Sequence, residues 1–109
     1  GFSVDTFPYE SAASEELGKY RGLVATDFER GHVTPEGLEK CLTTVKTLRE
    51  RSPGGDIVVY RNELALSEWV KDEQYTDAGA SCVFTPTDTD SVDDLWIQFE
   101  NFLAKRYQQ

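Results

Sequence analysis

Leu38, Cys41, Leu42, Val45 and Leu48 recur at the three- and four-residue steps that gather apolar side chains on one face of a helix. Pro35 and Glu36 suit a first helical turn, and Thr34 is an N-cap candidate just before them. Ser52-Pro53-Gly54-Gly55 ends the pattern, so a helix is predicted over 35–51. Lys46, Arg49 and Arg51 fall toward its C-terminal end, where the helix dipole favours cations. A second apolar face joins Val92, Leu95, Trp96, Phe99, Phe102, Leu103 and Tyr107 and predicts a helix over 92–107. Ser91 is its N-cap, Asp94 its N3 residue, and Lys105 and Arg106 close its last turn.

The strand pattern is sparser. Asp56 to Arg61 (DIVVYR) is β-branched, apolar and preceded by a turn. Ser81 to Pro86 puts Cys82 and Phe84 on one face and Val83 on the other. Leu64 to Val70 alternates weakly and reads as a hairpin strand, with the start of a helix as the alternative. Lys71 to Ala80 is polar and reads as a loop. Ser11 to Lys19 predicts a short helix. Gly22 to Phe28 fits a helix continuing to about Glu29 and ending at Gly31, with a short strand as the alternative. Residues 1–10 read as an irregular arm and 11–109 as a single domain. The expected fold is α+β: a three-stranded, mainly antiparallel sheet with the 35–51 and 92–107 helices on one face and a shorter N-terminal helix beside them.

At 109 residues with 39% hydrophobic content the chain suffices for one core. Charge changes the picture more. The net charge of −9 arises almost wholly between residues 62 and 104, where Glu63, Glu68, Asp72, Glu73, Asp77, Asp88, Asp90, Asp93, Asp94 and Glu100 face Lys71 alone. Such a surface repels nucleic acid and anionic membranes and attracts basic partners. No apolar run approaches the roughly 20 residues of a membrane span, so no membrane insertion is expected. The chain begins at Gly1 and contains no Met, which suits a processed chain or an excised module.

Cys41 and Cys82 carry no metal or redox spacing. Both are expected to face the same core, so a disulfide between them is predicted, stapling helix to strand and restraining the unfolded chain by about 3–4 kcal/mol. That pairing implies a secreted or periplasmic protein. The lone His32 sits beside Gly31 with no nucleophile placed for it, and no cofactor or metal is called for. Asp88-Thr89-Asp90 opens like a calcium loop. The glycine and the terminal bidentate Glu are missing, and the stretch reads as a solvated loop capping a helix.

These features point to a non-enzymatic, acidic protein-binding domain with a basic protein partner. An inhibitor or immunity protein that neutralises a basic toxin or enzyme is the sharpest form of that expectation. The alternatives are a recognition module of a larger secreted or cell-envelope assembly and a small enzyme without a recognisable motif. The partner-binding set comprises Glu63, Glu68, Trp69, Asp72, Glu73, Tyr75 and Asp77, with the aromatics as anchors if exposed.

Overall fold

Three short strands, β1 (Leu23–Thr26), β2 (Ile57–Tyr60) and β3 (Cys82–Phe84), lie side by side in the order β1-β2-β3. The computed structural model describes residues 5, 7–26, 35–61, 71–87 and 91–107. Helix α1 (Pro35–Arg51) joins β1 to β2, helix α2 (Asp72–Ala78) lies between β2 and β3, and helix α3 (Val92–Tyr107) follows β3. Two 3₁₀ turns, Tyr9–Ala13 and Glu15–Lys19, precede β1 where a single short helix was expected.

The sheet is parallel throughout, not antiparallel: Val24 pairs with Val58, and Val58 with Cys82, all running the same way. Parallel neighbours require the chain to return to its starting edge between strands, and α1 and α2 make those returns. Two departures from the sequence reading produce this difference. The 22–28 segment holds a strand rather than a helix, its Leu23 N–H donating to the Asp56 carbonyl at 2.9 Å. Residues 71–80 hold a helix rather than a loop. The Lys71 N–H donates to Gln74 Oε1 at 2.9 Å at its start, and Gly79, at φ 128°, ends it in a conformation that suits glycine. The Leu64 to Val70 hairpin strand lies outside the described residues.

The two main helices cover opposite faces of the sheet, not one. Strand alternation turns Leu23, Ala25, Ile57, Val59 and Val83 toward one side, where they meet Leu38, Cys41, Val45 and Leu48 of α1 and Tyr75 of α2. Val58, Tyr60, Cys82 and Phe84 turn to the other side, against α3. There the Phe99 ring stands 5.0 Å from Tyr60 and 5.4 Å from Phe84, and the Phe102 ring lies tilted against Phe84 at 4.8 Å. The sheet therefore separates Cys41 from Cys82. Neither is oxidised, and the expected disulfide does not form. A Cys41–Cys82 pairing needs both side chains in one core, and the sheet divides the interior into two.

Polar ties fix the edges. Arg49, near the end of α1, donates to the carbonyls of Ser52, Pro53 and Gly55, to that of Gly79 at 2.7 Å, and to Ser81 Oγ. One guanidinium thereby ties the ends of α1 and α2 together. At the start of α3, the Asp94 N–H donates to Ser91 Oγ at 3.4 Å, the expected cap. Gln98 exchanges two hydrogen bonds with the Thr87 backbone.

At the other end of α3, the Arg106 guanidinium grips both Asp56 oxygens, and the Tyr107 hydroxyl donates to the same carboxylate. Arg106 chiefly, with Tyr107 adding, holds the Asp56 carboxyl down at about 2. Burial, with the same carboxylate, pushes the Tyr107 hydroxyl up to about 12. A carboxyl depressed in the folded state stabilises above its unfolded value of about 3.9, and that stability fades as pH falls through the folded value. The stability gap between the native chain and Asp56→Asn should therefore be full at about pH 6 and close between about pH 4 and pH 2 in urea melts. A gap independent of pH would refute the ionised latch.

Candidate functional site

No buried side-chain nitrogen or oxygen among the described residues lacks a partner, and no three His, Cys, Asp or Glu residues there converge as metal ligands do. Two surface depressions stand out. One, of about 260 Å³, lies between the 3₁₀ turns and the end of α1, with Ala12, Leu17, Leu23 and Leu48 in its wall. The other is an open hollow of about 610 Å³ beside Asp56, Phe102, Lys105, Arg106 and Tyr107. Its best-placed ionic groups, Asp56 and Arg106, are spent on each other. Burial pushes the neighbouring Cys82 thiol up, away from the reactive thiolate.

The remaining chemistry lies on the helix surfaces. Asp72, Glu73 and Asp77 of α2, three of the acids assigned to partner binding from the sequence, are exposed. Asp72 has a structural duty as well, accepting from the buried Arg61 guanidinium at 2.8 Å. Tyr75, on the same helix, is wholly buried in the α1 core and offers nothing to a partner. Glu63, Glu68 and Trp69 lie outside the described residues, as does His32. Asp93, Asp94 and Glu100 are exposed on α3. Both helices start where strands of the parallel sheet end, so their first-turn acids, Asp72, Glu73, Asp93 and Asp94, gather toward the carboxyl edge, where the helix dipoles favour negative charge.

Helix α3 also exposes apolar groups that the sequence assigned to the core or passed over. Val92 is 79% exposed, Trp96 49% and Ile97 52%. The reason lies in how α3 sits. Its contacts run to β2 and β3 through Phe99 and Phe102, so the Trp96 ring only brushes Phe99, at 6.1 Å between centroids, and the Ile97 side chain points outward. For the same reason Val24, on the α3-facing side of edge strand β1, stays 42% exposed.

No family model, no curated protein and no solved structure matches this chain.

Proposed function

We propose that this chain is a non-enzymatic protein-binding domain whose acidic helix surfaces meet a basic partner. The observation that carries this reading is charge of a single sign on display. The acids of α2 and α3 in the 62–104 window are all exposed, on helices that cover opposite faces of the sheet. Opposite charge accelerates and orients encounter with a basic surface. The inhibitor or immunity role is a narrower form of this reading, and a recognition module of a secreted or cell-envelope assembly is the alternative to it.

Affinity capture at low salt tests it, using the native chain beside a Glu73→Lys, Asp77→Lys, Asp93→Lys, Glu100→Lys variant. Asp72 is left in place because it holds Arg61. The native chain should retain a basic protein that the variant loses and that about 0.5 M salt releases. Retention of the same proteins by both baits would overturn the reading.

A further inference from the structure

The exposed apolar groups of α3 and the uncovered side of β1 belong to one surface. Trp96, Glu100, Leu103 and Tyr107 follow at four-, three- and four-residue steps, so they form a single stripe along α3. At the end of that stripe the Tyr107 ring closes over Gly22, where an added Cβ would meet the hydroxyl, and Arg21 stands 5.5 Å above the same ring. Both residues lead into β1. The stripe therefore faces β1, whereas Phe102, on the opposite flank, packs on β3. Trp96 and Glu100 thus lie on the flank of α3 toward β1, and Val24 is exposed on the same side of the sheet, so the space between helix and strand is read as an open trough. Val92 and Ile97 extend the apolar rim, and Asp93 stands one turn before Ile97.

We propose that this trough docks a cationic amphipathic helix of a partner protein. The inference rests on the protein-binding reading and adds where the partner sits and what it presents. Three observations select that occupant. Among the described residues the acids Asp93 and Glu100 interrupt the apolar patch, with Arg21 only at its far end over Tyr107, so a lipid-like or acidic occupant is disfavoured. Asp93 and Glu100 are seven residues apart on one helix, about 10 Å along its axis, which matches Lys or Arg groups two turns apart on a helix lying alongside. A second copy of this chain would bring its own net charge of −9 against the same acids. The partner's apolar face rests on Trp96 and Val24, in the helix-in-groove manner, with Trp96 as the anchor.

The test uses a fluorescently labelled 18-residue Leu/Lys peptide patterned as an amphipathic helix, and a second peptide of identical composition shuffled to remove the apolar face. Anisotropy titrations at low salt compare the native chain with three variants: Trp96→Ala/Ile97→Ser, Val92→Ser/Ile97→Ser and Glu73→Lys/Asp77→Lys. The second variant alters only highly exposed positions, so it reports even if loss of Trp96 disturbs the Phe99 cluster. The native chain should bind the patterned peptide at least tenfold more tightly than the shuffled one. Each apolar variant should lose at least tenfold, and the α2 variant about twofold.

If the apolar variants bind as the native chain does and only the α2 variant weakens, the docking site is wrong and the acidic reading stands. Equal binding of both peptides has the same meaning. If neither peptide binds the native chain, both readings fall. A native dimer in sedimentation that Val92→Ser/Ile97→Ser dissociates would assign the trough to a second copy and overturn the proposal.

Discussion

Phe99→Ala is expected to lower folding stability by about 3–5 kcal/mol, the range for removing a buried aromatic ring. Phe99 is almost fully buried, and its ring meets those of Tyr60, Phe84, Trp96 and Phe102. It is the centre of the contact between α3 and the sheet. Aromatic pairs contribute about 0.5–1.5 kcal/mol beyond the area they bury, so losing several at once favours the upper part of the range. Neighbouring rings cannot collapse fully into the gap, because each is held by its own strand or helix. For a domain of this size the melting temperature should fall on the order of 15–25 °C. The same substitution should loosen the trough, since Trp96 rests against Phe99. Urea melts and thermal melts read the first effect, and the labelled patterned peptide reads the second. A loss under about 1 kcal/mol would mean that α3 does not pack on β2 and β3 as described.

Helices α1 and α3 were legible because each carries an apolar stripe long enough to count and turn residues at its ends. Their bounds, Pro35–Arg51 and Val92–Tyr107, are those the stripe and stop signals give. Strands β2 and β3 were legible from β-branched content and, for β3, from the alternation of Cys82 and Phe84 against Val83. The direction of the sheet was not, and the reason lies in two short elements. Four residues, Leu23 to Thr26, show no period, and their strand state comes from pairing with β2. Helix α2 has seven residues and one buried side chain, Tyr75, so its acid-rich sequence has no stripe to read. Without α2 as a crossover, a hairpin between β2 and β3 is the natural guess. That guess in turn makes one core and places Cys41 opposite Cys82.

Legibility of the surface divides the same way. Charge is additive along the chain, so the acidic window could be read without a fold, and the described acids of α2 and α3 are exposed. The apolar part of the trough could not. Val92 and Trp96 lie on the stripe by spacing, but α3 is tilted to β2 and β3 by Phe99 and Phe102, which leaves the flank toward β1 bare. Ile97 lies off the stripe, an apolar residue on the polar side, and that was the one signal in the sequence that α3 presents more than charge. Val24 could not be read as part of the trough until β1 was known to be a strand at the sheet edge.

Tyr75→Ala is expected to cost about 3–5 kcal/mol and to act through folding alone. The sequence puts Tyr75 amid Asp72, Glu73 and Asp77, where an aromatic among acids suggests a partner anchor. In the structure the acids point outward and the ring points inward, where it shares the core with Cys41, Val45, Leu48, Ile57 and Val59. A seven-residue helix is too short to persist in water on its own, so α2 depends on that one ring for its place. Removing it should release the crossover between β2 and β3 and expose the α1 face of the sheet. Glu73→Lys/Asp77→Lys makes the contrast, because both acids are exposed and neither ring nor backbone tie is touched. That variant should change stability by less than about 0.5 kcal/mol while weakening attraction to a basic partner. The two measurements separate the roles of neighbouring residues. Should Tyr75→Ala melt like the native chain and lose only binding, Tyr75 would be a surface anchor and the packing of α2 on α1 would be wrong.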